Sequence, residues 1–292
     1  MSTLLDRTNP RKPWRALTSR KPAAERGSFP KYFLLILVSI FAAFPFYVML
    51  VLALRSPGPV PFPDALLPAE LSLDSIRSAL GNDSILSWAV NTTIYALVSD
   101  VGVLFLASLA GYAFAKMKFR GKEVAFWIVL ATLLIPYHIA LIPQFILVSE
   151  MGFADTLAGL ILPGLANTQV LFLMRQFIRG IPDELLEAAR TDGASELRVY
   201  VSIILPLTKP ILATSAVFVF LWNWNDFLWP LVISSSDASR TLTVGLASMR
   251  VENVAMSEVM AGALLTLLPA LVVFLIMQRY FVRGIAATGV KG

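Results

Sequence analysis

The side chains best placed to do chemistry sit in an apolar run: Leu221-Trp222-Asn223-Trp224-Asn225-Asp226-Phe227-Leu228-Trp229-Pro230. Two amides and a carboxylate beside indoles suit carbohydrate. An indole packs on the C–H face of a sugar, and the polar groups bond its hydroxyls. An aspartate near the middle of a membrane span costs about 2.5–3.5 kcal/mol on insertion scales, so Asn223, Trp224, Asn225 and Asp226 should turn toward a cavity or a partner rather than lipid. The same residues also fit a purely structural helix-packing cluster, with the tryptophans forming an aromatic belt. Asp100 is the other carboxylate in an apolar run, and neither aspartate has the glycine-flanked motif of an intramembrane protease. His138 follows Ile135-Pro136-Tyr137 and reads as a helix–helix hydrogen bond more readily than as a ligand.

Several chemistries lack their parts. No G-x-x-x-x-G-K-[ST] phosphate loop is present, since Gly121-Lys122 lacks the upstream glycine and the hydroxyl residue. The chain should therefore hydrolyse no ATP, and no cofactor is expected on it. There is no G-x-S-x-G elbow and no H-E-x-x-H pair. With no Cys and one His, disulfides, thiolate metal sites and multi-histidine sites are excluded. The methionines between Met249 and Met260 read as packing rather than metal ligands.

Residues 187–206 are polar and lie between two apolar segments. They read Glu187-Ala188-Ala189, three residues, Gly193, nine residues, then Ile203-Ile204-Leu205-Pro206. Asp183 is placed to cap a short helix through Arg190, Gly193 to end it in the left-handed conformation, and Ser195 to cap a second helix through Ile204 that Pro206 stops. Ala188 and Ala189 leave one face narrow enough for a partner surface to approach.

The elements that must position these residues follow from composition. Hydrophobic residues make up 57% and charged ones 15% of 292, against about 25% charged in an average soluble domain. An all-α integral membrane protein is expected. Six segments reach the length of a span: Tyr32–Leu54, Trp88–Ala115, Val124–Phe145, Leu157–Phe177, Ile211–Ile233 and Val259–Val282. Pro136 and Pro143 should kink the third. Between the first two, Leu73, Ile76 and Leu80 suggest a short helix packed on the membrane, after a proline-rich stretch.

Lys and Arg are distributed unevenly. Of the 24, eight lie in residues 1–31, four in 116–123, five in 175–209 and three in 279–292; only Arg55, Arg77, Arg240 and Arg250 fall on the other side. The positive-inside rule then puts both termini and residues 183–206 in the cytoplasm, and 56–87 and 234–258 outside. Basic residues so placed mark topology, not a nucleic-acid surface. Residues 1–31 read as a basic cytoplasmic tail and an uncleaved start; 32–292 read as one transmembrane domain with its core at about 88–282.

All seven fixed positions of the E-A-A-x3-G-x9-I-x-L-P pattern are present. The segment resembles the EAA loop of the membrane subunits of bacterial binding-protein-dependent ABC importers. Ala110-Gly111-Tyr112-Ala113-Phe114-Ala115-Lys116, Phe119-Arg120-Gly121-Lys122, the run from Leu134-Ile135-Pro136 to Ile142-Pro143, the Trp-Asn-Asp-Phe cluster and the ending Gln278–Gly284 through Gly292 extend the resemblance over roughly residues 30–292. They are similar to carbohydrate-type permeases, in particular the second, six-span permease of maltose-type systems. The resemblance implies a complex in the bacterial inner membrane with a homologous permease, two ATPase subunits that bind ATP and Mg, and an extracytoplasmic solute-binding protein. It assigns ATPase coupling to Glu187, Ala188, Ala189, Gly193, Ile203, Leu205 and Pro206. A permease for glycerol phosphates or amino acids is the alternative. Phosphate esters would favour intramembrane Arg or Lys, which the spans scarcely contain. A secondary transporter would carry its own ion sites and repeats.

Overall fold

The computed structural model describes residues 28–289 except 60–62, 64–65, 68–70 and 252–253. Most of the basic tail and the side chains of the C-terminal motif at 278–292 lie outside the described residues. The described residues form helices and connecting turns, without a strand.

The chain divides at Phe46–Tyr47. The first unit holds most of α1 (Ser28–Ala53), and from Pro30 to Phe46 its side chains are exposed on every side, as suits a helix surrounded by lipid.

The second unit is organised on α3 (Asp83–Lys116). Asn82 caps it by accepting the Ser84 and Ile85 N–H groups. No proline interrupts its 34 residues, so it is about 50 Å long, well beyond the ~30 Å apolar core of a bilayer. The expected second span lies wholly within it. α7 (Thr168–Arg179) and α11 (Lys209–Trp224) pack along its length. Close approach of α7 depends on Gly111, where a Cβ would meet the Met174 Cβ at 2.8 Å and the Arg175 backbone nitrogen at 3.1 Å. Between these helices Val103, Tyr112, Met174, Ile178, Leu186, Val199, Tyr200 and Ile204 form one buried cluster. At the far end of α3, Ile85 and Trp88 pack with Ala53, with Ala79 of α2 (Asp74–Leu80), with α13 (Leu242–Val251) and with α14 (Met256–Gly289). Met249 and Met260 belong to this packing, as expected.

The remaining candidate spans are bent. Lys122–Leu134, which includes α4 (Lys122–Ala131), meets α5 (Tyr137–Glu150) at 105°, with Pro136 at the corner. Leu157–Gly164, which includes α6 (Leu157–Ile161), meets α7 at 42°. Among the described residues three helices are long and apolar enough to cross a membrane unbroken, and the number reaches six only if each bent pair is one span.

The expected span Ile211–Ile233 is not continuous. α11 stops at Trp224, residues 225–227 leave the helix, and α12 (Leu228–Ile233) starts anew. Asp226 therefore sits in a break, not in the middle of a helix. The short helix α2 forms where expected, but its buried face is Ser75 and Ala79; Leu73 and Leu80 are exposed. Its small side chains allow the close packing that leucines would prevent.

Candidate docking loop and polar helix break

The polar loop is two short helices across a glycine turn. α8 (Asp183–Thr191) ends with the Gly193 N–H on the Arg190 carbonyl and the Ala194 N–H on the Ala189 carbonyl. Gly193 has φ +81°, so this is a left-handed C-cap of the Schellman type. Ser195 caps α9 (Glu196–Val199) by accepting the Arg198 N–H. Both readings of the turn hold.

Two others are corrected. Asp183 does not cap α8: Pro182 occupies the cap position, and the Asp183 carboxylate pairs with Lys116 at 2.7 Å. Pro206 does not stop the second helix. The chain runs from α9 through wide π turns at Tyr200–Ile204 into α10 (Leu205–Leu207), with Pro206 in its first turn. The π turns shift the hydrogen-bond register just before a residue that has no N–H to give.

Glu187 and Ala188 are exposed on α8, Ala189 is half-buried beside the fully buried Leu186, and Gly193 is exposed. Ile203 and Leu205 are half-buried and Pro206 exposed, while Ile204 between them is fully buried. The seven residues thus form a partly open surface on a packed base.

What anchors that base lies on α3. Tyr112 donates its hydroxyl to Glu196 Oε2, and Arg190 donates to both Glu196 oxygens at 2.8 and 3.3 Å, tying α8 to α9 across the turn. The Arg190 guanidinium and then the Tyr112 hydroxyl hold the Glu196 carboxyl below its ordinary range. Tyr200 bonds Ser108 at 2.6 Å, and its ring lies 5.9 Å from that of Tyr112. Lys116, nearly buried, donates to the Arg179 and Ile181 carbonyls and to Asp183, whose carboxyl it holds low. Sequence reasoning noticed the Ala110–Lys116 segment but assigned it no contact; Tyr112 and Lys116 at i,i+4 share one face and so reach the same loop. Arg175, also missed, is buried. It donates to the Phe114 carbonyl and to Glu123, and lies 3.7 Å over the Phe126 ring.

The polar run at 223–226 is dispersed. Trp224 is buried within this chain, stacked on Phe220 at 5.5 Å and donating its indole N–H to the Thr266 carbonyl. Asn225 is exposed, with its amide on the Leu221 carbonyl. Asn223 is half-buried. The Asp226 carboxylate accepts from the Tyr95 hydroxyl at 2.9 Å. The Asp226 carbonyl accepts from Thr243. Trp224 is thus committed to packing and Asp226 to its bonds with Tyr95 and Thr243, while Asn225 is open. His138 is exposed and edge-on to Tyr137.

Opposite the docking loop, the turn after α12 is held to α3. Asn91 donates to the Ala238 and Arg240 carbonyls, and Thr92 accepts the Leu242 N–H. Asp155, at φ 56°, accepts the Ser235 and Ser236 N–H groups and the Ser239 hydroxyl. One long helix therefore contacts the docking loop, the helix break and this turn.

Residues 103–287 match the family model described as "Binding-protein-dependent transport system inner membrane component". The chain belongs to that family. The sn-glycerol-3-phosphate transport system permease protein UgpE of Yersinia pestis bv. Antiqua (strain Antiqua) is 35% identical over 264 residues, covering 87% of this chain and 94% of that one. The arabinooligosaccharides transport system permease protein AraQ of Halalkalibacterium halodurans is 35% identical over 227 residues, 77% of this chain and 81% of its own. A crystal structure of a bacterial ABC transporter involved in the import of the acidic polysaccharide alginate superposes with TM-score 0.74 at 25% identity, covering 87% of this chain and 96% of the matched one. The family match begins inside α3 and takes in both the docking loop and the helix break. The chain is a permease subunit of an ABC importer.

Proposed function

We propose that this chain is one of two related permeases that form the path for a sugar or oligosaccharide. It would span the bacterial inner membrane six times with both termini and the docking loop in the cytoplasm. Residues 1–31 would be a tail and 32–292 the transmembrane domain. Two separate ATPase subunits would bind ATP and Mg and engage Glu187, Ala188, Ala189, Gly193, Ile203, Leu205 and Pro206. A solute-binding protein would deliver the solute from outside. Closure of the ATPase pair would move α8 and α9, and with them α3, between inward- and outward-facing states. The observation that carries this reading is the exposed Glu187–Gly193 surface on a base bonded to α3 through Tyr112 and Lys116.

A neutral solute is favoured because the two buried cations described near the spans are already engaged: Arg175 by Glu123 and Lys116 by Asp183. The second reading, a glycerol phosphate, is supported by the likeness to UgpE. Titration of the cognate solute-binding protein with arabino-oligosaccharides and with sn-glycerol-3-phosphate separates them. Preference for the phosphate ester would replace the sugar and leave the importer intact. ATP hydrolysis or uptake by the isolated chain in liposomes would reject the subunit role itself.

A further inference from the structure

Two helix breaks meet in this protein. From Tyr137, where α5 begins, the residues four, eight and eleven positions on are Leu141, Phe145 and Val148. They pack against Tyr95 of α3 and Trp229 and Ile233 of α12. Tyr137 heads the same helical stripe. The corner at Ile135–Pro136 and the break at 225–227 therefore face one another across Tyr95.

The two breaks are treated differently. At the second, the Asp226 carboxylate is held by the Tyr95 hydroxyl and the Asp226 carbonyl by Thr243. At the first, Pro136 offers α5 no side-chain cap, and residues 131–139 are all exposed, Leu134 at 84% and Tyr137 at 42%. A break leaves carbonyls and N–H groups without helical partners. At membrane depth such backbone persists only when protein buries it or when it lines a water-filled cavity, since lipid offers no hydrogen bonds.

We propose that the junction of these breaks is this chain's wall of the solute path, with Tyr137 and His138 as the side chains that meet a neutral polyhydroxy solute. Tyr95 and Asp226 are a strut that holds the second break in shape without touching the solute. A phenol and an imidazole each donate and accept hydrogen bonds, as sugar hydroxyls require, and each presents a ring to the C–H face. The assignment rests on the permease reading above and adds residues to it from a different helix.

The chain has no native cysteine, so single cysteines report cleanly. In the complete transporter in bilayers, Tyr137→Cys, His138→Cys, Ile142→Cys and Val101→Cys are treated with a charged, membrane-impermeant methanethiosulfonate present on both sides. Ile142 and Val101, apolar and both 68% exposed in the chain, serve as comparisons. Positions 137 and 138 should react at least about tenfold faster, because only a water-lined surface admits the reagent. Their rates should change when vanadate traps the ATP-bound state. Equal, slow rates at all four positions would overturn the proposal. So would rates at 137 and 138 that are blocked in both states, which would mean that the second permease covers the corner. Tyr137→Phe, which keeps the ring, should lower maximal transport while leaving the half-saturating concentration of loaded binding protein unchanged; undiminished transport would remove Tyr137 from the solute's contacts. The labelling uses no solute, so a wrong sugar leaves its outcome untouched.

Discussion

The Tyr112 hydroxyl and the Glu196 carboxylate, 84 residues apart, are hydrogen-bonded and join the end of α3 to the first residue of α9. Arg190 bonds the same carboxylate from α8, so one acidic group ties α8 to α9 and both to α3. Hydrogen bonds to a charged group contribute about 1.5–3 kcal/mol, and solvent screening at this half-exposed site leaves about 1. Tyr112→Phe keeps the ring against Tyr200 but loses the bond. ATPase subunits should still co-purify, while the ATP hydrolysed per solute imported should rise. The same rise is expected of Glu196→Gln. An unchanged ratio in both variants would show that this contact does not carry the coupling.

Gly193 isolates a backbone effect. Nothing lies within 4 Å of where its Cβ would be, yet φ is +81°. A β-branched residue there costs about 1–2 kcal/mol from conformation alone, and asparagine less. ATPase retention on the purified complex should fall in the order glycine, asparagine, valine. If Gly193→Val retained its ATPase subunits and transported like the parent, the turn would not be part of the docking surface.

Local signals announced some of this architecture and distant ones did not. Gly193, Ser195 and Pro136 act within a turn or a cap, so their effect is readable from neighbours a few residues away. Asp183 looked like a cap for the same local reason, but Lys116, from another helix, takes its carboxylate. Asn223–Asp226 read as one costly cluster within a span. Its dispersal depends on Tyr95, Phe220 and Thr266, which lie at other positions along the chain or on another helix; Pro230, in the first turn of α12, is the local mark of the break. The E-A-A-x3-G segment was legible as a surface. The residues that anchor it, Tyr112, Glu196 and Arg190, were not, because their partnership exists only after α3 and the loop pack.

Asp155 should give the turn after α12 an acid limit. The Ser239 hydroxyl, with Ser236 and Ser235, holds its carboxyl at about 2, below the ordinary 3.8. A folded-state value below the unfolded one means that the stabilisation is complete above about pH 4 and is lost as the pH falls toward 2. Amide exchange at Ser235 and Ser236 should therefore be slow at neutral pH and accelerate, after correction for intrinsic rates, on acidification through that window. Asp155→Asn should show fast exchange throughout. Protection in the variant equal to the parent at neutral pH would mean that the carboxylate does not hold this turn.

Gly245 tests the packing of α13 on α3. A Cβ there would sit 2.1 and 2.2 Å from two ring atoms of Trp88, a rigid and nearly buried side chain. Relief requires the helix or the indole to move, at about 1–3 kcal/mol. Gly245→Ala should lower the melting temperature of the detergent-solubilised complex clearly, whereas Gly58→Ala, with nothing within 4 Å, should not. Equal melting temperatures would show that α13 is not packed on Trp88 in the assembled transporter.

The orientation of the whole chain rests on charge. Twenty of the 24 Lys and Arg residues fall on the side assigned to the cytoplasm. Basic residues in short loops resist translocation, so the docking loop and residues 116–123 should be inside and the turn at 234–241 outside. The side chains suggest the probes. Arg240 is paired with Asp237 and faces Trp88, so Ala238, which is exposed, is a better outer position than Arg240 itself. Position 70, in the outer loop, lies outside the described residues. Lys118 is exposed between α3 and α4 and serves as the inner position. In intact spheroplasts, a membrane-impermeant maleimide should label Ala238→Cys and leave Lys118→Cys unlabelled until the membrane is opened. Labelling of Lys118→Cys in sealed spheroplasts would invert the topology. It would also remove the docking loop, bonded to α3 through Lys116 and Asp183, from the reach of any cytoplasmic ATPase.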